Sequence, residues 1–374
     1  MTRNSARILV RGVNWLGDAV MTTPALLRLR QAAPGAHITL LTHDKLADLW
    51  SHHPAVDSLL TFSGGDALRS VAHKLRAGNF QTGLALPNSP RAALELWLAG
   101  IPRRIGYAAS LRSWFLTDPV PRGPDFVRMR KRPIARIRRL AAVASAGSIP
   151  VPRGSPPPAA AHHLHHYLRL VAALGANPQP LPPCVIVTGQ EMAEVRQKFH
   201  LTREPAWLGL NPGAEYGPAK RWPPERFLAA ATEIQKRTRL PWLIFGAPGD
   251  SPLAGDLARG LSLAFPNATP LNLAGQTTLR ELCALLASCR ALLTNDTGPM
   301  HLAAAVGTPV VAIFGSTSPE FTAPGLPEDS RHRFLVSDAP CSPCFHRECP
   351  IDFRCMHGID VDRVVRALAE VVAC

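Results

Sequence analysis

The stretch Asn295-Asp296-Thr297-Gly298-Pro299-Met300-His301 gathers a carboxylate, a hydroxyl and an imidazole around a glycine and a proline. Residues 291–294 ahead of it read as a short buried strand. Residues 300–306 read as a helix stopped at Gly307, and residues 308–315 as the next strand. The turn in such a strand–turn–helix–strand unit lies at the carboxyl edge of a parallel sheet, where open α/β folds bind ligands. Asp296 or Thr297 can cap the helix, Gly298 lets the backbone approach closely, and Pro299 suits a first helical position. Backbone N–H groups and the positive helix end would then face an anion, phosphate above all. Taken alone, the same residues also fit an ordinary cap with His301 as a packed core side chain.

Two other stretches have comparable content. Residues 12–18 form a turn between a strand at 7–11 and a helix at 19–31, with Asn14 in the turn and Asp18 at the helix start. As a cap alone, Asp18 needs no further role. A loop punctuated by glycine and proline follows a strand at 207–210. It contains Asn211, Pro212, Gly213 and Ala214, then Lys220, Arg221, Trp222 and Pro223. A second loop, residues 246–250, ends in Asp250 at the same sheet edge.

The elements that must position these residues alternate between strand and helix. Strands are expected at 37–41, 58–62, 82–86 and 102–107, with helices at 44–50, 66–76 and 91–98 between them. The alternation restarts at 207, with a helix at 223–237, a strand at 242–245 and a helix at 279–288 behind a capping box at 278–281. His162, His163, His165 and His166 open a helix to 174 and read as its solvated start. Residues 154–158 are irregular. The prolines of 177–183 form a stiff linker, so the domains are expected at 1–176 and 184–374. The amphipathic helix at 361–372 could pack back on the first domain.

A chain of 374 residues, 46% hydrophobic and 18% charged, is globular and long enough for two domains. No apolar run is long enough to cross a bilayer. The first residues lead straight into a strand, which leaves no room for a signal peptide, so a cytosolic protein is expected. The formal charge of +14 is uneven. Residues 1–180 carry 23 Lys/Arg against 8 Asp/Glu, and residues 181–374 carry 18 against 19. Residues 126–190 hold no acidic residue. This points to a polyanionic partner for the first half, with arginine-rich composition as the bland alternative. Arg128, Arg130, Lys131, Arg132, Arg136, Arg138 and Arg139 are its densest, exposed part.

Residues 12–24, residues 211–214 with 220–223, and residues 295–301 together resemble family 9 of the glycosyltransferases, across nearly the whole chain except 121–158. Cys341-Ser342-Pro343-Cys344-Phe345 with Arg347-Glu348-Cys349-Pro350 resembles its branch adding the second heptose of the lipopolysaccharide inner core. The resemblance implies an α/β protein of GT-B architecture, with two facing Rossmann-like domains built on parallel sheets. It implies transfer of L-glycero-D-manno-heptose from ADP-heptose to the first heptose on Kdo2-lipid A, with inversion. It places the base on Asp18 and the phosphate-contacting lysine at Lys220, with Arg221 assisting. Asn211, Gly213, Asp296, Thr297, Gly298 and His301 would line the donor pocket, and Asp250 would approach the ribose. Asn14, Arg128, Arg130, Lys131 and Arg132 would meet the lipid-linked anionic acceptor. The enzyme would work as a monomer, peripheral on the cytosolic face of the inner membrane, with no nucleic acid partner. No cofactor is expected to be required, and divalent cations would at most stimulate. Other members of the family differ in acceptor, so a first- or third-heptose enzyme is the nearest alternative.

Metal chemistry finds little support in the spacing. Asp360-Val361-Asp362 precedes a helix and reads as its cap. Cys341, Cys344, Cys349 and Cys355 open with a C-x2-C pair but continue irregularly, a weak match to a zinc site. A nucleic-acid-binding α/β protein would explain the charge, but no recognised module or aromatic platform accompanies it. A dinucleotide oxidoreductase lacks its Gly-x-Gly-x-x-Gly fingerprint.

Overall fold

The computed structural model describes residues 6–109, 111–145, 157–201, 207–326 and 329–373. The first residues of the chain and residues 154–156 of the irregular stretch, both read above, lie outside that range. The first sheet holds β1 (Arg7–Arg11), β2 (His37–His43), β3 (Ser58–Phe62), β4 (Thr82–Ala85), β5 (Arg103–Tyr107) and β6 (Asp118–Val120). The second holds β7 (Trp207–Asn211), β8 (Trp242–Ile244), β9 (Leu271–Asn272), β10 (Cys289–Asn295), β11 (Val310–Phe314) and β12 (Arg333–Val336). Every pairing is parallel. Sheets of this kind are covered on both faces, which is why Leu9, Val10, Ile38, Leu40, Leu292 and Leu293 are all 0% exposed.

The helices of the first half are α1 (Leu16–Ala32), α2 (Leu68–Arg76), α3 (Pro90–Leu98), α4 (Ile134–Ser145) and α5 (His163–Ala172). Those of the second are α6 (Gly189–Lys198), α7 (Pro224–Thr238), α8 (Ser251–Ala264), α9 (Leu279–Ala287), α10 (Gly298–Ala305), α11 (Pro319–Thr322), α12 (Arg354–His357) and α13 (Val361–Ala373). The capping box at Thr278 and Glu281 forms, and Asp360 accepts from the Arg363 N–H at the head of α13. Residues 44–50 fold as a 3-10 helix rather than an α-helix.

The strand orders are β3-β2-β1-β4-β5-β6 and β12-β11-β10-β7-β8-β9, the same doubly wound plan used twice. Each reverses direction at one point, between β1 and β4 and between β7 and β10. Loops leaving the carboxyl ends of those strands are where such sheets bind ligands. The three stretches singled out in the sequence leave β1, β7 and β10.

The chain divides into two compact units, Met1–Phe126 with Ala160–Ile186, and Val127–Ala159 with Val187–Cys374. This departs from the expected boundaries in three ways. The prolyl stretch is packed on the first unit: Arg28 Nε donates to the Gln179 carbonyl at 2.9 Å and the Cys184 N–H to Thr23 Oγ1 at 3.1 Å. The terminal helix α13, expected to pack back on the first domain, is packed within the second unit. Its buried Val364, Val365, Leu368 and Val371 share a core with Trp222, Phe227 and Ile234 in the second unit. The basic segment belongs to the second unit as well. Each unit then carries +7, from 15 Lys/Arg against 8 Asp/Glu in the first and 26 against 19 in the second. The charge imbalance along the chain is therefore not an imbalance between units.

One buried histidine of the first unit, His53, and one half-buried, His166, set an acid limit. Burial pushes His53 down to about 4, and burial followed by neighbouring charges at His163, His165, Arg122 and Arg169 does the same to His166. The unfolded chain binds protons near 6.5 that the folded chain refuses until about 4. Their contribution is full above pH 6.5 and falls away as the pH drops toward 4. The melting temperature should decline over that window, and His53→Phe, which keeps a ring against Trp50, should flatten the decline; an unchanged slope in a pH series of melts would contradict this.

Candidate active site

The second unit builds its site on Asp296, directly after β10. This carboxylate is 4% exposed at its side chain, and Lys220 Nζ lies 2.5 Å from its Oδ2. Thr317, behind β11, donates its hydroxyl to the same oxygen. Asp296 therefore does not cap α10. Thr297 occupies the N-cap position with an extended backbone, but its side chain makes no cap hydrogen bond either. The N-cap of α10 therefore makes no side-chain cap hydrogen bond, which leaves its backbone N–H groups for another acceptor. A cation held by a buried carboxylate beside an uncapped helix start suits a diphosphate.

Neighbouring residues lock this arrangement. Asn295 Nδ2 donates to the Pro212 carbonyl at 2.7 Å, and its Oδ1 accepts from the Trp222 N–H at 3.0 Å. The β7 loop is thereby bound to the β10 turn. Lys220 Nζ also stands 4.8 Å above the Tyr216 ring, and the Arg347 guanidinium lies 5.1 Å from the same ring. Tyr216, Asn295, Thr317 and Arg347 were not singled out from sequence. Asn295 and Arg347 lay within the motifs and Tyr216 in the loop between residues 214 and 220, but nothing in their types distinguished support from contact.

Other residues of the expected donor pocket take different places. Asn211 is 3% exposed and gives its amide to Thr294 Oγ1 at 3.2 Å, joining β7 to β10. Gly213 is where the Asp250 carboxylate approaches the backbone, and a Cβ there would meet Asp250 Oδ2 at 2.3 Å. Arg221 turns toward Asp250, 3.4 Å from its Oδ1, rather than to Asp296 with Lys220. His301 is 5% exposed within α10, the packed position foreseen as its alternative. Thr297 and Gly298 are partly exposed at the helix start.

In the first unit, Asp18 lies in the first turn of α1, whose N-cap is Trp15. Two residues of α5 hold its Oδ1: the Tyr167 hydroxyl donates at 3.3 Å and His163 Nδ1 lies 3.7 Å away. Burial and the Asp18 charge push the Tyr167 phenol well above its ordinary value, so it stays a donor. The four histidines are therefore not a solvated helix start. His162 is the buried N-cap and accepts from the Leu164 N–H, and His166 is wedged between Tyr107 and Phe126. Asn14 is exposed and its Oδ1 accepts from Arg11 Nη1 at 3.0 Å, while Arg11 Nε is anchored by buried Glu95 at 2.9 Å.

The basic segment is split by the structure. Arg128, Arg130, Lys131, Arg136, Arg138 and Arg139 are exposed, but Arg132 is a tie. Its Nη1 donates to the Pro340 carbonyl at 2.8 Å, its N–H to the Cys344 carbonyl at 3.0 Å, and its own carbonyl meets His346 Nε2 at 2.7 Å. Cys341 and Cys344 pack with Ile137 of α4. Cys341, Cys344 and Cys355 are buried, and burial raises all three thiols, Cys355 to about 12. Among the described residues no group of three His, Cys, Asp or Glu is placed to hold a metal ion. The segment's observed work is to fasten residues 127–145 to the second unit.

Comparison with known proteins agrees with the arrangement of both sheets. The model of glycosyltransferase family 9 (heptosyltransferase) matches residues 68–353. Lipopolysaccharide heptosyltransferase 2 of Escherichia coli is 31% identical over 328 residues, covering 85% of each chain. Lipooligosaccharide heptosyltransferase 2 of Haemophilus ducreyi is 29% identical over 98% of this chain and 100% of its own. The solved structure of E. coli ADP-heptose lps heptosyltransferase II covers 98% of both chains with a TM-score of 0.76 and 26% identity. The fold is thus the GT-B fold, and the chain belongs to glycosyltransferase family 9, the heptosyltransferases.

Proposed function

We propose that this enzyme transfers L-glycero-D-manno-heptose from ADP-heptose to the first heptose of the Kdo2-lipid A inner core, inverting the anomeric centre. The observation that carries the reading is the Lys220–Asp296 pair beside the uncapped start of α10, together with relatives named lipopolysaccharide and lipooligosaccharide heptosyltransferase 2. Asp18 accepts the proton of the acceptor hydroxyl while its oxygen attacks the anomeric carbon. The bond from that carbon to the diphosphate breaks, and ADP leaves with the electron pair. Lys220 neutralises the charge that grows on the leaving group, and Gly298 and Thr297 receive the diphosphate at the helix start. Tyr167 and His163 orient the Asp18 carboxylate. Asn14, Arg128, Arg130 and Lys131 face the anionic acceptor, and Arg347 joins the donor cations.

The acceptor is lipid-linked, so the reaction belongs at an anionic membrane surface, on the cytosolic face where the nucleotide sugar is found. Among the described residues no helix is long and apolar enough to cross a membrane, and the reading is of a peripheral association. The chain works as a monomer, and no metal enters the mechanism. A thermal-shift comparison tests the donor class. ADP should raise the melting temperature, in the presence of EDTA, by the linkage of ligand to the folded state. UDP, NAD and an oligonucleotide should not. Stabilisation by NAD or the oligonucleotide, with none by ADP, would refute the reading.

A further inference from the structure

The crossover between β5 and β6 is a single 3-10 turn, Leu111–Phe115, and its side chains are distributed against the usual rule. Arg112 is 1% exposed, while Leu111 is 74% and Trp114 84% exposed. Residues three apart share an edge of a 3-10 helix, so Leu111 and Trp114 stand together on the outer edge and Arg112 and Phe115 on the inner one. The inverted cation is well seated. Arg112 Nη2 donates to the Ala85 carbonyl and Nη1 to Asn88 Oδ1, both at 3.2 Å. Gly106 on β5 leaves room for it, since a Cβ there would fall 2.5 Å from Nη2. Trp97 of α3, 48% exposed, extends the apolar face, its ring 5.7 Å from that of Phe115.

Leu111 and Trp114 on one exposed edge form an apolar patch of the kind that marks contact with another molecule or a membrane. The rim indicates which. Arg104 Nε donates to the Phe115 carbonyl at 2.7 Å, and Arg76 Nη2 to the Leu98 carbonyl, next to Trp97, at 2.8 Å. Neither arginine makes an ion pair among the described residues. A tryptophan and a leucine flanked by uncompensated arginines match the boundary between acyl chains and anionic headgroups.

We propose that the outer edge of Leu111–Phe115, with Trp97 beside it and Arg76 and Arg104 at its rim, is a docking site for an anionic lipid surface. This deepens the reading of a lipid-linked acceptor and rests on it. The site lies in the first unit and uses none of the residues assigned to chemistry, so it can be tested apart from them.

The test is co-sedimentation of the full chain with phosphatidylglycerol-containing vesicles, against pure phosphatidylcholine. Leu111→Ser with Trp114→Ser should lower partition by roughly 10–100-fold, the loss expected when two apolar side chains no longer leave water. Trp114→Phe should retain most of the binding. Arg76→Gln with Arg104→Gln should weaken binding to the anionic vesicles alone. On a deacylated, water-soluble acceptor the double serine variant should keep its kcat, which also shows that it folds. Unchanged partition of that variant would overturn the proposal. So would equal affinity for both vesicle types, or a dimer in sedimentation velocity that the serine variant dissociates. A wild-type chain that binds vesicles through this edge but transfers no heptose to the soluble acceptor would count against the proposed function, not the docking site.

Discussion

Lys220→Ala should lower turnover by roughly 10²–10³-fold, the loss expected on removing one preorganised donor from a developing anion. The pairing with Asp296 makes the interpretation more demanding than for a surface lysine. Lys220 is 13% and Asp296 4% exposed at the side chain, so alanine also strands a buried carboxylate. Breaking one partner of such a pair costs about 3–5 kcal/mol of stability. Lost activity could then reflect lost fold. The double variant Lys220→Ala with Asp296→Asn separates the two, because it removes both charges together. It should recover much of the stability, with Thr317 still able to donate to the amide oxygen, but none of the rate. Steady-state kinetics beside thermal melts of the wild type and both variants decide the matter. Rate returning along with stability would show that Lys220 acts through the fold alone.

Asp18→Asn should cut kcat by about 10²–10⁴-fold, the usual worth of a positioned general base, while ADP affinity stays as it was. Asparagine keeps the shape and an oxygen that can accept from the Tyr167 hydroxyl, so the head of α1 should hold. Calorimetry with ADP and turnover with both substrates give the two readouts. A parallel fall in ADP affinity and turnover would place Asp18 in donor binding or in the fold. Tyr167→Phe provides a gentler companion: it removes the orienting hydroxyl and leaves the carboxylate, so its effect on kcat should be smaller than that of Asp18→Asn.

The alternation of β and α and the turns after β1, β7 and β10 could be read from the sequence, because strand runs, capping residues and glycine–proline punctuation are local signals. That the chain uses the same strand order twice was not legible. It depends on which strands pair, and the short edge strands β6 and β9 carry too few apolar residues to announce themselves. The basic segment misled for a related reason. Charge summed along the chain assigned residues 127–159 to the first half, whereas Arg132, Ile137 and the cysteine loop bind them to the second unit. Within the site, residue types suggested chemistry for Asn211 and Arg221, but a polar side chain at a strand end is as readily spent on a neighbour. Asn211 is spent on Thr294, and Arg221 is turned to Asp250. Lys220 and Asp296 were both named from sequence, and their mutual contact was not. Residues 76 positions apart reveal it only once β7 and β10 lie side by side. The histidines of α5 show the reverse error, where a hydrophilic run concealed a buried cap and a support for Asp18.

Product analysis by mass spectrometry identifies the reaction. The chain would be incubated with ADP-heptose and, in parallel, with Kdo2-lipid A bearing no heptose, one heptose or two, with EDTA present throughout. One heptose should be added to the singly heptosylated acceptor, with release of ADP and an inverted linkage, and the other two acceptors should be unchanged. Transfer to the acceptor without heptose or to the one with two, or no transfer at all from ADP-heptose, would overturn the proposed reaction.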